Sequence, residues 1–442
     1  MHYDPDLHLF ITDDEIFAIK HLRPMVQTLR KETMGPVLRP DGKEEGTAIG
    51  YATAIRDPQD GLLRMWYTPH TDALIRLATS EDGLCWTKHG VVMDGWPEGR
   101  VDNLHVSLPT DDVDPWFRGA RFVGTAFFSP LQPTGEWVAG IYGIRSPDGT
   151  RWELRHPPIL PKVGDRSALV LDVHRGVYMF TSRPPYEINS AVEAPKPRKI
   201  ALWESSDLVD WQDRGIVLRA DESDEHYLQL YGMVPFRYGA GFVGMLEVYH
   251  ADLERLDTQL AYSPDGVRWQ RVRRREVALA CGGEGAWDSH WVVPTLNPPL
   301  TAGDRLLSFY VGAATKHGSG LGHRRAIGLA SLRRDGWVSL EAGRAEGQVV
   351  TTTLPLERRM QLEANVSCPT GYFAAELLHA DGTPIEGYGP EAGRLEAVDD
   401  IRHRMAWGDR TSVAPAADGL CRLRFTLYQG SLFSYRWSPA GG

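Results

Sequence analysis

The chain is poor in cysteine, with four in 442 residues, at positions 85, 281, 368 and 421. So few and so scattered, they exclude a disulfide framework and a thiolate zinc cluster. Cys368 and Cys421 could form one bridge at most, and buried free thiols are the expectation. No apolar run is long enough to cross a bilayer, so no membrane partner is expected. There is no basic tail or stripe, and the net charge is −10, which argues against nucleic acid as a partner. The start, MHYDPDLHLF, lacks the charged-then-apolar layout of a secretory signal, so the expected location is cytoplasmic. No motif calls for a cofactor.

What the chain does have is a repeat. Ser80-Glu81-Asp82-Gly83-Leu84-Cys85-Trp86 returns as Ser146-Pro147-Asp148-Gly149-Thr150-Arg151-Trp152. It comes again as Ser205-Ser206-Asp207-Leu208-Val209-Asp210-Trp211, then as Ser263-Pro264-Asp265-Gly266-Val267-Arg268-Trp269. A decayed copy, Asp335-Gly336-Trp337, closes the series. The phrase recurs roughly every 60 residues, the signature of a repeated supersecondary unit. Each phrase follows apolar, β-rich runs punctuated by Gly, Pro and Asp, which read as strands and hairpins. In the first unit the runs are Thr47–Ile55, Leu62–Thr68 and Leu74–Thr79, with a fourth opening at Trp86. Asp and Gly build the turn between strands three and four, and the tryptophan anchors it.

Four antiparallel strands in five copies predict an all-β fold, a five-bladed β-propeller over residues 46–340. Residues 341–442 leave the repeat. Strands expected near Gln348–Leu354, Met360–Asn365, Phe373–His379, Leu420–Leu427 and Ser431–Trp437 predict a C-terminal β-sandwich. Residues 1–45 read as an N-terminal lead-in, with a candidate helix within Asp14–Arg30.

The topology locates a site. If the Asp-Gly-Trp turns lie on the bottom, the top receives the starts of the innermost strands and the loops after strand two. The approaches to the inner strands carry Glu44 and Glu45, then Asp102, Asn103 and His105. They continue with Asp165, then Asp221, Asp224, Glu225 and His226, and end with Glu284, Asp288 and His290. The loops after strand two add His70, Arg183, Tyr186, His250, Lys316, His317 and His323. Seven of the fifteen histidines thus fall on one expected face, where a merely solvated loop surface is the bland alternative. Converging carboxylates are what glycosidic hydrolysis needs: one held protonated for the leaving oxygen, another ionised as nucleophile or base. A crowded ring of acids can push their pKa values apart. Arg56-Asp57-Pro58 looks like the RDP signature of invertase-type enzymes, but here Asp57 follows an inner strand and enters a turn, so it is rejected.

With Arg64-Met65-Trp66-Tyr67, Ala78 through Gly83, Ile327-Gly328-Leu329-Ala330 and Asp335-Gly336-Trp337, the chain resembles glycoside hydrolase families 32, 43 and 68 and their relatives. The resemblance covers nearly the whole chain, and its turns also resemble the Asp-box of sialidase propellers. It implies catalytic acids at the inner strands of successive blades, which by position are Glu45, Asp165 and either Glu284 or Asp288. Asp102, Asn103, His105, Arg183, Glu225, His226, His250, His290 and His317 are the expected carbohydrate-binding residues. The chain lacks the families' Trp-x-Asn-Asp-Pro and Glu-Cys motifs. The leading expectation is a glycoside hydrolase. Its rivals are a non-catalytic carbohydrate-binding propeller, a phosphorolytic variant suggested by Arg183, Lys316, His317, Arg324 and Arg325, and a metal-dependent variant. The last would use His105, His226, His250, His290 or His317 with an acid, but no His-x-x-x-His pair supports it.

Overall fold

Residues 3–72, 74–93, 99–130, 138–161, 163–184, 197–415 and 418–440 are described by a computed structural model of the chain. Five successive sets of antiparallel strands follow one another. The first is Ile49–Arg56, Leu63–Pro69, Ile75–Ser80 and Thr87–Met93. The second is Gly99–Ser107, Phe122–Pro130, Gly140–Ser146 and Glu153–Pro161. The third is Ala168–Asp172, Val177–Ser182, Ile200–Ser205 and Gln212–Leu218. The fourth is Leu228–Tyr238, Gly241–His250 and Arg255–Ser263, edged by the short pieces Gln270–Arg271 and Val277–Leu279. The fifth is Trp291–Pro294, Arg305–Ala313 and Arg325–Arg333, and its outermost strand is Arg30–Lys31, from near the N-terminus.

Middle strands such as Leu63–Pro69 and Ile200–Ser205 are buried almost throughout, while the outer strand Gln212–Leu218 is mostly exposed. A strand covered on both faces reads as a continuous apolar run, and this is why strands two and three dominate the sequence signal. The sets touch in a closed circuit. Thr53 donates to the Leu104 carbonyl at 2.6 Å, and His105 Nε2 meets the Ser167 carbonyl at 2.8 Å. Thr181 donates to Met233 at 2.5 Å and Thr258 to Val292 at 2.8 Å. The Leu296 amide returns to the Ala52 carbonyl at 2.7 Å, which brings the fifth set to the first.

The repeated phrase forms one turn four times. The Ser80, Ser146, Ser205 and Ser263 hydroxyls each accept the amide three residues on, at 2.8 Å. The aspartate Oδ1 accepts two further amides, as Asp148 does from Thr150 and Arg151. Trp86, Trp152 and Trp269 then donate their indole N–H to the turn glycine's carbonyl. In the third copy Leu208 occupies the glycine position at φ 69°. Each glycine turn lies against the preceding set: Gly149 against Trp66, Gly266 against Met179, and Gly83 against Phe309 of the fifth set. Asp57, in the turn after the first inner strand, is fully buried and pairs with Arg64 at 2.8 Å and Arg121 of the second set at 2.5 Å.

A second all-β unit has a core of its own, including Leu362, Val366, Phe373, Leu423, Phe425 and Trp437. Its strand order is Ile16–Lys20, Gly347–Thr351, Leu420–Tyr428, Met360–Leu378, Gly430–Pro439, Val338–Ala342 and Leu22–Val26. The 19-residue strand Met360–Leu378 serves both halves, pairing with Gly430–Pro439 in its first part and Leu420–Tyr428 in its second. Leu7–Leu9 adds to Gly430–Pro439. Asp14–Arg30 therefore holds strands rather than the expected helix, because its apolar residues pair edge-on with the C-terminal unit. Strand Val338–Ala342 spans the boundary expected at 340. Strand Arg394–Arg404 was not anticipated; it is largely exposed and rich in charge, so it carries no apolar alternation. The four cysteines are free, with Cys368 and Cys421 buried.

Candidate active site

Three inner strands are bulged near their starts. The pairing slips between Gly50 and Thr53 in the first set, Asp102 and His105 in the second, and Leu230 and Gly232 in the fourth. The residues within the slips are Tyr51, at φ 45°, Asn103, at φ 48°, and Tyr231. A bulge re-aims a side chain that regular alternation would send elsewhere. Non-glycine residues at positive φ carry strain, which concentrates at functional sites.

Arg166 crosses the space between the inner strands. It begins beside the third inner strand, and its guanidinium donates to Glu247 of the fourth set through Nε at 2.8 Å and also through Nη2. Nη2 reaches the Pro294 carbonyl of the fifth set at 3.2 Å, and the guanidinium lies 5.9 Å from the Tyr51 ring of the first. Glu247 is fully buried and Arg166 nearly so. Gly232 makes room, since a Cβ there would lie 2.7 Å from Glu247 Oε2.

Aromatic rings surround this pair. His317, from the loop after the fifth set's second strand, stacks on Trp291 at 5.3 Å and 15°. Its Nε2 shares a 3.0 Å hydrogen bond with the Tyr231 hydroxyl, and its ring lies 4.7 Å from that of Tyr249. The Arg198 guanidinium sits over Tyr231 and Tyr249, at 5.2 and 5.3 Å. That of Arg325 sits over Trp291 and Tyr51, at 5.0 and 5.9 Å. Burial, then Arg198, Arg325 and Arg183, push His317 down to about 4, so it is neutral at pH 7. His323 is likewise pushed down to about 4, by burial and then Arg325. Asp165, whose carboxylate is half-exposed, pairs with Arg183.

Of the expected catalytic acids, Asp165 therefore joins this cluster, and Arg183 and His317 join it among the expected binding residues. Glu45 is held elsewhere. It is 2% exposed, accepts from the Tyr67 hydroxyl at 2.6 Å and from the Asp41 amide, and pairs with Lys88 of the outermost strand. Asp288 repeats the arrangement: it accepts from the Tyr310 hydroxyl at 3.0 Å and pairs with Lys31 of its set's outermost strand at 2.5 Å. Each acid precedes its tyrosine by 22 residues, so the two are equivalent parts of two repeats. Glu284 is exposed in the loop before Asp288.

Asn103 is buried, and neither its Oδ1 nor its Nδ2 has a partner. His105 is sealed, both ring nitrogens engaged by Thr125 and Ser167, and burial pushes it down to about 4. Glu225 is exposed and reaches His250 at 3.4 Å; the Asp257 carboxylate on that ring's other side, at 3.1 Å, raises the His250 pKa. His226 is exposed and meets Tyr227 edge-on, while His290 shares a bond with Ser289. The side chain of Asp102 and the whole of Tyr186 lie outside the described residues. Among the described residues, no three His, Cys, Asp or Glu side chains gather to hold a metal ion.

The residues that sequence reasoning missed are Tyr51, Arg166, Arg198, Tyr231, Glu247 and Trp291. Glu247 had a legible signal, as the one acid in the apolar run Gly241–His250.

No family model matches the chain, and no curated protein matches it. Its structure is similar to solved glycoside hydrolase propellers. One is a thermostable family-43 glycoside hydrolase, at 12% identity over 64% of this chain and 88% of that one, with a TM-score of 0.48. A second comes from work on the GH130 family of mannoside phosphorylases and the glycoside hydrolases within it that target β-1,2 mannosidic linkages in Candida mannan. It shows 14% identity over 70% and 94% of the two chains, with a TM-score of 0.48. A putative glycoside hydrolase from Bacteroides ovatus gives 12%, 69% and 96%, with a TM-score of 0.47.

Proposed function

We propose that the five sets are the blades of a five-bladed β-propeller, that the second unit is a β-sandwich, and that the chain cleaves a glycosidic bond of a carbohydrate at one end of the propeller axis. One observation carries this reading: four of the five sets send aromatic rings, arginines and carboxylates toward a single point around Arg166 and His317. Aromatic faces with a few placed polar groups are the ordinary furniture of a small-ligand site. Trp291, Tyr231 and Tyr249 present faces on which the C–H surface of a sugar ring can lie. A neighbouring guanidinium favours the ionised form of a carboxylate. Asp165, held by Arg183, is in this reading the nucleophile or the base that activates water. Glu247, locked in both its oxygens by Arg166, positions rather than reacts. Glu45 and Asp288 serve as blade braces in this reading.

The test is a panel of aryl glycosides and oligosaccharides, each with and without inorganic phosphate. The expected result is sugar release by the parent chain. Its Asp165→Asn variant should lose at least ~100-fold in turnover. A parent that binds sugars and cleaves none, with either water or phosphate, would replace the reading with a carbohydrate-binding propeller.

A further inference from the structure

Among the described residues four arginines are buried: Arg76, Arg166, Arg237 and Arg325. Three are clamped by a carboxylate: Arg76 by Asp72 at 2.7 Å, Arg166 by Glu247 at 2.8 Å and Arg237 by Asp172 at 2.8 Å. Arg325 is the exception. It is 7% exposed, its Nε has no hydrogen-bond partner, and its guanidinium meets the faces of Trp291 and Tyr51 with no acid in ion-pair reach among the described residues. A buried charge without a counter-charge costs several kcal/mol on general grounds. Ring faces return only part of that.

Two further observations point the same way. Arg198, over the Tyr231 and Tyr249 rings that border His317, is bonded to the neutral amide of Gln229 at 2.5 Å, also with no acid in ion-pair reach among the described residues. Among the described residues, a protein of net charge −10 thus holds two cations without a paired acid around His317. In addition, Thr68 Oγ1 is buried without a partner and, with Arg325, Tyr51 and His70, lines a cavity of about 10 Å³, room for no more than a water.

We infer that Arg325 and Arg198 form an oxyanion subsite at the axial end, which takes a carboxylate or phosphate group of the ligand. The inference rests on the axial-site reading above and narrows its ligand to an acidic sugar, or to a sugar bound together with free phosphate. A guanidinium presents paired N–H donors that match the oxygens of either anion. The anion supplies the counter-charge that Arg325 lacks.

Isothermal titration calorimetry on the full chain tests this without requiring turnover. The probes are glucuronate and galacturonate, their neutral parents glucose and galactose, glucose 1-phosphate, and inorganic phosphate. At least one anionic probe should bind at least ~10-fold tighter than the neutral sugars. Arg198→Gln, at a half-buried site that does not threaten the fold, and Arg325→Gln should each remove that advantage. Arg151→Gln, in an exposed turn of the second blade, removes the same charge and should leave it intact. Tight uronate or sugar phosphate with weak free phosphate places the anion on the sugar; equally tight free phosphate makes phosphate itself the occupant. The inference is overturned if no anion binds better than the neutral sugars, or if Arg198→Gln binds like the parent. Anion binding without any glycoside cleavage keeps the subsite and sinks the enzyme. Cleavage of neutral glycosides that is indifferent to both arginines does the reverse.

Discussion

The carboxylates on the flanks of the first and fifth strand sets and those around Arg166 share chemistry and differ in company. Glu45 and Asp288 each answer a tyrosine hydroxyl and a lysine of the same sheet, so they tie an outer strand to an inner one. Glu247 and Asp165 answer arginines, and Arg166 joins Glu247 across different sheets. The difference teaches that standing just before an inner strand does not decide an acid's task. Side chains alternate along a strand, so one step in register moves a residue from the flank to the axis. Asp165 and Arg166, adjacent in the approach to the third inner strand, also differ in company: one is half-exposed on Arg183 and the other buried on Glu247.

The sharpest test of this contrast pairs Asp165→Asn with Glu45→Gln. Turnover should fall at least ~100-fold in the first and stay within ~3-fold of the parent in the second. Comparable losses in both would erase the distinction. Next in size is Glu247→Gln, which leaves Arg166 buried opposite a neutral group. Urea unfolding should show a loss of about 3–5 kcal/mol, the cost of an orphaned buried charge. Glu45→Gln and Asp288→Asn should each cost less, about 1–3 kcal/mol, since each removes one buried, charge-assisted contact near a sheet edge. A larger loss in either than in Glu247→Gln would invert the comparison.

The smallest effect is a pH slope. His105 is held neutral, with its folded pKa, about 4, below the ordinary 6.5. The unfolded chain therefore binds more protons between these values. The stability this confers is complete above about pH 6.5 and is lost as pH falls toward 4. The drop in melting temperature between pH 7 and pH 5 should be smaller in His105→Gln; an unchanged drop would leave His105 out of the account.

The repeated strand sets were legible because the Asp turn is local. Its serine and aspartate bond within the phrase in all four copies and its tryptophan in three, so the sequence contains nearly the whole device. The braces were half legible. Glu45 and Asp288 stand out as acids ahead of inner strands, but Lys31 reaches Asp288 from the other end of the chain, and nothing nearby in sequence reveals it. The axial cluster was least legible. Tyr51 and Asn103 take their direction from bulges, which leave no mark on hydrophobic alternation. Trp291 and Tyr231 read as core aromatics until His317 is seen between them.

The N-terminal segment has a consequence for how the chain is built. Leu22–Val26 pairs with Val338–Ala342, and Arg30–Lys31 pairs with Arg325–Arg333. On a ribosome these early strands emerge first and their partners some 300 residues later. The first four strand sets can assemble while the early strands wait unpaired. One stretch of late synthesis, from Arg325 to Ala342, then supplies the partners that complete the fifth set and start the second unit's sheet. Non-local pairing of this kind is slow to form. Nascent chains arrested before residue 325 should thus keep residues 22–31 open to protease, and those arrested past 342, clear of the exit tunnel, should protect that stretch.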